Sequence, residues 1–203
     1  MGLTISKEEI AELPIEKFNG KIVVIDHADE VRDALSYLSS QPALGFDTET
    51  KPAFKRGQVH KVALLQLATE EACFLFRLNQ IGYPDELEAM MSDPGIRKIG
   101  LSLRDDFAAI HKRSARKPEN FIDLQVFVDK FGIDDNSLQK IYAILFGRKI
   151  SKNQRLSNWE APALTPAQQS YAAIDAWACL RIYNHLTNII RADECIQRNC
   201  VTP

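Results

Sequence analysis

The sequence predicts a single α/β domain in which a mixed β-sheet is flanked by helices. A length of 203 residues is enough for one domain with a full hydrophobic core. Apolar runs typical of strands dominate the first half of the chain, and strand and helix patterns alternate in the second half. That order is typical of a mixed sheet that carries helices. We expect one domain over residues 1–203, with a core of about 22–190 and a flexible polar tail.

Most of the strand signals lie in the first half of the chain. Ser6 and Glu9 have the spacing of a capping box and predict a short first helix. Asp29 is a candidate cap for a helix over 31–38, where the apolar spacing is helical. Apolar or β-branched runs predict strands at 22–25, 43–46, 62–68 and 72–78. A short turn separates the last two strands, which is typical of a hairpin.

The second half of the chain carries most of the helix signals. The patterns predict a helix at 85–91, a strand at 96–101, a helix beginning at 105, helical spacing over 121–131 and a helix from Ser137 to Gly147. The segment 147–162 is polar and basic and has little periodicity. Thr165, Pro166 and Gln168 are favourable residues for the start of a helix, and its apolar positions continue to Leu186.

Composition and charge are those of an ordinary soluble globular protein, with 45% apolar and 26% charged residues. A net charge of −2 provides no overall basic field for nucleic acid. Two local basic clusters are either solvated surface runs or a rim that binds phosphates. They are Lys112, Arg113, Arg116 and Lys117, and Arg148, Lys149, Lys152 and Arg155.

The cysteines and the hydropathy favour a cytoplasmic protein. The four cysteines have no zinc-ligand spacing and suit a reducing compartment; they are Cys73, Cys179, Cys195 and Cys200. Cys73 and Cys179 lie in apolar segments and are interpreted as core residues. No segment reaches the roughly 18 apolar residues of a membrane helix, so we expect no membrane contact. A processed precursor remains an alternative.

Four acidic residues at three separate places in the chain are candidate metal ligands. Asp47 and Glu49 follow an apolar strand and, two residues apart, point to the same face of it. Asp175 lies in an apolar helix, one turn after Tyr171 and on the same face. Asp106 follows the strand predicted at 96–101. Each acid alone has an ordinary structural explanation as a strand-end, helix-capping or hydrogen-bonded residue, and Asp105 competes with Asp106.

The combination of these acids indicates a divalent metal site. If they meet, each like-charge pair about 4 Å apart costs about 4 kcal/mol at an effective dielectric constant of about 20. Several such pairs would offset much of a typical stability of about 5–15 kcal/mol. Cations among the acids, or protonation of some of them, would remove the cost. A set of oxygen ligands favours Mg²⁺ or Mn²⁺ over zinc.

The order of these motifs resembles the DEDD superfamily of 3′–5′ exonucleases. Phe46-Asp-Thr-Glu49, then Asp106 after Lys98-Ile-Gly100, then Tyr171-x-x-x-Asp175 is the superfamily pattern. The tyrosine indicates the tyrosine subfamily, because the histidine of the other subfamily would stand at Ser170. A closer likeness to the Werner-syndrome type of exonuclease domain spans about 22–186. It is carried by Arg56-Gly57, Lys61-Val-Ala-Leu-Leu-Gln-Leu67, Ser157-Asn-Trp159 and the segment from Leu164-Thr165 to Ala176.

The resemblance implies an RNase H-like fold with antiparallel first strands, two divalent ions and cleavage to nucleoside 5′-monophosphates. It implies that Asp47 bridges both ions, that Glu49 and Asp175 hold the ion that carries the attacking water, and that Asp106 holds the other. Two such ions can stabilise the attacking and leaving oxygens of an in-line displacement. A phenol titrates near pH 10, so we interpret Tyr171 as orienting the water rather than as a strong base.

Several residues are candidate substrate contacts. Thr48 lies between the first two acids, and Lys152 and Arg155 are candidate phosphate contacts. Phe54 either wedges beside the terminal base or covers the strand end. Trp159 either stacks on a base or braces its loop against the last helix. The four histidines have no ligand spacing and are interpreted as surface or packing residues; they are His27, His60, His111 and His185.

Three other functions compete with a DNA exonuclease. An RNase D-like exoribonuclease shares the four acids and the tyrosine. The segments that resemble the Werner-syndrome type favour DNA, and RNA remains an alternative because nothing in the sequence reads the 2′-hydroxyl. A non-catalytic nucleic-acid-binding module would not need the complete set of acids. A glycosidase acid pair at Asp47 and Glu49 would leave Asp106, Tyr171 and Asp175 without a role.

Overall fold

The computed structural model describes residues 2–55 and 57–199, with side chains described as far as residue 192. These residues form a six-stranded sheet with helices on both faces, which confirms the predicted fold class. The strands are β1 (Lys21–Ile25), β2 (Leu44–Thr50), β3 (Val62–Ala68), β4 (Ala72–Phe76), β5 (Lys98–Gly100) and β6 (Phe121–Asp123). The helices are α1 (Lys7–Glu12), α2 (Val31–Ser39), α3 (Leu78–Ile81), α4 (Asp85–Met91), α5 (Leu103–His111), α6 (Leu124–Val128), α7 (Leu138–Phe146) and α8 (Pro166–Asn199).

The sheet is mixed and places β2 near its centre. The strand order is β1-β4-β3-β2-β5-β6. Strands β2, β3 and β4 are antiparallel neighbours, as the resemblance implied, whereas β1–β4, β2–β5 and β5–β6 are parallel pairs. Strand β3 is buried along its whole length. The acidic end of β2 therefore lies inside the sheet rather than on an exposed edge.

Helix α8 crosses the sheet very close to β2. A Cβ atom at Gly45 would lie 2.0 Å from the backbone carbonyl oxygen of Ala176, so only glycine permits this approach. The buried residues Ala172, Ala173 and Ala176 give the helix a small-residue surface against the sheet. The close approach brings the helix carrying Asp175 directly over the strand carrying Asp47.

Two of the predicted N-terminal caps are confirmed, but Asp29 does not cap α2: it lies within a 3₁₀ turn over Ala28–Glu30, and no side chain caps the start of α2. Ser6 and Glu9 form the predicted capping box of α1. The Gln168 backbone N–H donates to the Thr165 hydroxyl at 3.2 Å, and the Gln168 side chain accepts from the Thr165 backbone N–H at 3.0 Å. Helix α8 continues to Asn199, well beyond the last apolar position identified in the sequence. Within the described residues, no helix is both long and apolar enough to cross a membrane.

Strand β6 corrects one sequence prediction. The apolar spacing over 121–131 predicts a helix, but residues Phe121–Asp123 pair in parallel with β5 and α6 begins only at Leu124. A strand of three residues is too short to show a period of two, so the helical pattern that follows it dominates. Helix α5 also begins at Leu103, before the predicted start at 105.

Both core cysteine assignments are confirmed. Cys73 and Cys179 are free and buried, as expected of small core residues. Arg56, Cys200 and the side chain of Cys195 lie outside the described residues.

Candidate active site

Three of the four predicted acids meet at one point. Each of Asp47, Glu49 and Asp175 offers a carboxylate oxygen, and these oxygens all lie within 4.8 Å of one another. Asp47 and Glu49 point to the same face of β2, as their spacing predicts. The fit of α8 against Gly45 brings Asp175 to that face. The chain therefore places a compact acidic triad between the central strand and the last helix.

The triad is electrostatically strained in the absence of a cation. Burial raises the pKa of Asp47 well above its ordinary value, and the charges of Asp175, Asp106 and Glu49 raise it further. Burial also raises the pKa of Glu49 to about 9 and that of Asp175 to about 7. The charges of Asp175 and Asp106 raise the pKa of Glu49 further. At Asp175, a hydrogen bond from Tyr171 and the charge of Lys152 lower the pKa and so offset part of the effect of burial.

This arrangement fits a hard divalent cation. Carboxylate oxygens are the ligands that Mg²⁺ and Mn²⁺ prefer. A cation among the three acids would remove the repulsion that raises their pKa values and offset the cost of burying them. The acids would then bind as carboxylates.

Asp106 lies beside the triad but outside it. Its carboxylate accepts a hydrogen bond from the hydroxyl of Thr48, which lies between Asp47 and Glu49 on β2. Burial raises the pKa of Asp106 to about 6, and its charge contributes to the raised pKa values of Asp47 and Glu49. Asp105 is exposed to solvent. The structure thus favours Asp106 over Asp105 as the fourth acid.

Asp123 anchors the helix that carries Asp106, a role that the sequence did not reveal. The backbone N–H groups of Ser102 and Leu103 donate to the Asp123 carboxylate at 3.0 and 2.9 Å. Ser102 has a left-handed φ of 60°, which turns the chain sharply from β5 into α5. This role was not predicted because residues 121–131 were interpreted as helical, whereas Asp123 is the last residue of strand β6.

Trp159 is completely buried, which favours the bracing role over stacking on a base and argues against Trp159 as a substrate contact. Its side chain is 0% exposed, so no base can reach its ring. It packs in a core cluster with residues of β3, β4 and α8, and its ring lies 6.0 Å from that of the half-buried Tyr171. Of the two roles that the sequence allowed, only bracing is compatible with this burial.

Tyr171 is oriented toward the acids. It hydrogen bonds to Asp175 one turn further along α8, and burial together with the charges of Asp175 and Glu49 raises its pKa above the ordinary value. A raised pKa keeps the phenol protonated at neutral pH, which agrees with a hydrogen-bonding role rather than that of a base.

Two cations from the basic loop reach the acidic site. Lys152 and Arg155 line a cavity of about 490 Å³ together with Asp47, Tyr171 and Asp175. The charge of Lys152 lowers the pKa of Asp175, and that of Arg155 lowers the pKa of Glu49. Both lysine and arginine are otherwise exposed, so they are available to a phosphate in the cavity.

The rest of the two basic clusters has mainly structural contacts. Arg113 donates to the backbone carbonyl of Val62 through two nitrogens, at 2.9 and 2.5 Å. Arg148 lies 3.9 Å from the Glu16 carboxylate. These contacts give Arg113 and Arg148 structural roles, whereas Lys152 and Arg155 are the members of the two clusters that line the acidic cavity.

Glu160 joins the two loops beside the site, and sequence reasoning missed it. Its carboxylate lies 3.3 Å from the Lys51 amine and 2.9 Å from His60 Nδ1. Lys51 follows the acidic strand, and Glu160 follows the loop that carries Lys152 and Arg155. His60 is therefore a packing residue, as expected, but one that connects these loops. The only sequence signal was the position of Glu160 immediately after Trp159.

Phe54 is strongly exposed, at 79%. It therefore does not cover the strand end, and its role as a wedge beside a terminal base stays a prediction. Thr48, the other candidate substrate contact near β2, uses its hydroxyl to contact Asp106.

Comparison with known proteins agrees with the geometry of this site. A family profile described as 3′-5′ exonuclease matches residues 22–191. The bifunctional 3′-5′ exonuclease/ATP-dependent helicase WRN of Mus musculus is 32% identical over 187 residues, a match that covers 87% of this chain and 13% of that protein. The chain thus spans only a small part of this relative.

Two solved structures share the fold. The Nibbler EXO domain of Aedes aegypti superposes with a TM-score of 0.71 at 22% identity, covering 93% of this chain and 94% of that one. RNase D of Escherichia coli superposes with a TM-score of 0.74 at 24% identity, covering 88% and 49%. The family match over 22–191, together with the acids and tyrosine found there, shows that this chain belongs to the 3′-5′ exonuclease family.

Proposed function

We propose that this protein removes nucleotides one at a time from the 3′ end of DNA and releases nucleoside 5′-monophosphates, with two divalent ions, Mg²⁺ or Mn²⁺, as cofactors. The observation that carries the proposal is the compact triad of half-buried Asp47 and Glu49 and buried Asp175, with Asp106 and Tyr171 beside it. A cytoplasmic location and the organisation of residues 1–203 as one exonuclease domain are part of the same proposal.

The four acids would divide the ligation of the ions between them. Asp47, whose pKa is raised by the charges of all three other acids, would contact both ions. Glu49 and Asp175 would hold one of them, and Asp106 the other, directly or through water. When bound, such ions lower the pKa of water and stabilise negative charge on the leaving 3′ oxygen.

The neighbouring side chains would position the substrate and the nucleophilic water. The Tyr171 hydroxyl, protonated and half-buried, would orient the water toward phosphorus. Lys152 and Arg155 would bind the phosphates of the entering strand through the cavity that they share with Asp47 and Asp175. Phe54, exposed beyond the acidic strand, would pack beside the terminal base.

DNA is the preferred substrate in this proposal. The shared segments resemble the Werner-syndrome type of exonuclease domain, and the mouse relative is 32% identical. The principal alternative is RNA. E. coli RNase D, described as an exoribonuclease involved in structured RNA processing, has the same fold at 24% identity. A non-catalytic module is disfavoured because such a protein would have no use for a buried cluster of repelling acids.

Degradation of end-labelled oligonucleotides tests the proposal. Single-stranded and duplex DNA and RNA would be incubated with the protein in Mg²⁺, Mn²⁺ or chelator. We expect shortening from the 3′ end, 5′-mononucleotide products, dependence on the metal and a preference for DNA. The matched control is Asp175→Asn, which should abolish cleavage. Faster degradation of RNA would establish the RNase D-like alternative, and binding without cleavage would establish the non-catalytic module.

A further inference from the structure

Gln66 is a buried polar residue that the proposed mechanism does not use. It lies in the middle of β3, the strand that is buried along its whole length, and its side chain is 0% exposed. In the register of the sheet it stands directly opposite Asp47 on β2 and Leu75 on β4. Directly opposed residues point to the same face, so Gln66 shares a face with Asp47.

The amide of Gln66 has no partner in its surroundings. Leu64, Ala68 and Leu75, its neighbours on the same face, belong to an apolar cluster that α8 covers. Among the described residues, neither Nε2 nor Oε1 of Gln66 makes a hydrogen bond. An amide buried without partners is costly, whereas an apolar side chain of the same shape would fit without cost. The stability of this core alone does not account for a glutamine.

The register of the sheet places Asp47, a polar residue, directly beside Gln66. Directly opposed residues of antiparallel strands have Cβ atoms about 4.5–5.5 Å apart, a distance that a glutamine side chain can span. Glu49, the next acid along β2, stands opposite Leu64 instead. Among the two strand acids, Asp47 is therefore the one with a potential donor beside it.

We propose that Gln66 is a positioning residue for metal binding: its amide Nε2 donates to the Asp47 carboxylate when a divalent ion is bound. This inference rests on the proposed function of Asp47 as a metal ligand. A carboxylate that binds a cation through some of its lone pairs can accept a hydrogen bond through another, and such a bond sets its orientation. The Asp47 carboxylate would thus be held by the strand beside it.

Binding of Mn²⁺ to apolar replacements of Gln66 tests the proposal. Gln66→Leu and Gln66→Met are close in volume and remove the amide. Affinity would be measured by titration calorimetry, and Tm in chelator would report the stability of the metal-free fold. Leu75→Met is the matched control, because it alters packing on the other side of Gln66 and leaves the amide in place.

We expect both apolar variants to bind Mn²⁺ about 10- to 100-fold more weakly than the wild type, the usual effect of removing a partner of a metal ligand. Their Tm in chelator should be equal to or higher than that of the wild type, since an unpaired amide has been removed. Leu75→Met should bind Mn²⁺ within about twofold of the wild type.

Three results would overturn the inference. Wild-type affinity in both Gln66 variants would show that the amide does not position Asp47. An equal loss of Mn²⁺ affinity in Leu75→Met would show that packing around Gln66, and not its amide, causes the weaker binding. Failure of both variants to fold would show that the amide is already required in the metal-free core. If the wild type itself neither bound Mn²⁺ nor cleaved DNA or RNA, the proposed function would fail rather than this inference alone.

Discussion

The ring of Trp159 lies 6.0 Å from the ring of Tyr171, with 37° between their planes. Trp159 follows the basic loop that contributes Lys152 and Arg155 to the acidic cavity, whereas Tyr171 belongs to α8. Since Trp159 is completely buried, this contact is part of the folded core. The loop that would bind substrate and the helix that carries Asp175 are therefore held together before any substrate arrives.

Replacement of Tyr171 by phenylalanine should slow turnover and leave metal binding largely intact. The ring would still pack against Trp159, but the hydroxyl that hydrogen bonds to Asp175 would be lost. We expect a decrease of about 10- to 100-fold in kcat, because the hydroxyl that would orient the attacking water is lost while all four carboxylates remain to hold the metal. Single-turnover cleavage and Mn²⁺ calorimetry would separate the two effects. Unchanged turnover would count against the proposed orientation of water by Tyr171.

Asp106 and Asp105 should differ sharply on mutation. Asp106 is half-buried beside the triad and accepts a hydrogen bond from Thr48, whereas its neighbour Asp105 is exposed. Asp106→Asn should reduce cleavage by more than about 100-fold, because it removes a proposed ligand itself. Asp105→Asn is the matched control and should retain activity within about twofold, as surface substitutions usually do. Equal losses in the two variants would contradict the assignment of Asp106.

Glu160 should affect substrate binding more than the chemical step. Its contacts with Lys51 and His60 join the loop after the acidic strand to the basic loop. Glu160→Gln would remove the charge and weaken this connection, so we expect KM to rise about three- to tenfold with little change in kcat. Exposed Glu12 offers a matched charge change through Glu12→Gln, which should alter neither constant. A fall in kcat at constant KM would place Glu160 in the chemical step instead.

The metal-free protein should lose stability as the pH rises. Burial raises the pKa of Asp106 to about 6, of Asp175 to about 7 and of Glu49 to about 9, from ordinary values of 3.8, 3.8 and 4.5. The folded protein therefore holds protons that the unfolded chain has released. Their stabilising contribution is complete below the ordinary pKa values and is lost as the pH rises through the raised ones.

Scanning calorimetry in chelator measures this effect. Each pKa unit corresponds to about 1.4 kcal/mol, and a domain of this size changes its Tm by about 2–4 °C per kcal/mol. We expect Tm to fall by about 5 °C or more between pH values of about 6 and 9. In Asp175→Asn the fall of Tm with pH should be smaller, because one of the titrating groups is absent. Added Mn²⁺ should raise Tm more at the alkaline end, where it does not compete with protons. A Tm that rose with pH in chelator would contradict the raised pKa values.

The secondary-structure signals of the sequence were most informative where they are local. The capping residues Ser6 and Thr165 determine where α1 and α8 begin, because a cap acts within a few residues of itself. The spacing of Asp47 and Glu49 places both on one face of a strand wherever that strand lies. Strand β6 could not be predicted in this way, because it forms by pairing with β5 and has no local sequence pattern of its own.

The sequence by itself determined the α/β class, the acids and the tyrosine of the candidate site, and the spacings that make them chemically useful. Only the tertiary structure decided that Asp47, Glu49 and Asp175 meet within 4.8 Å while Asp106 stands apart with Thr48. It also decided that Trp159 is buried, that Glu160 joins two loops and that Gln66 faces Asp47. The physical reason is that these relationships join residues far apart in the chain, so they depend on strand register and on the close packing of α8 against Gly45.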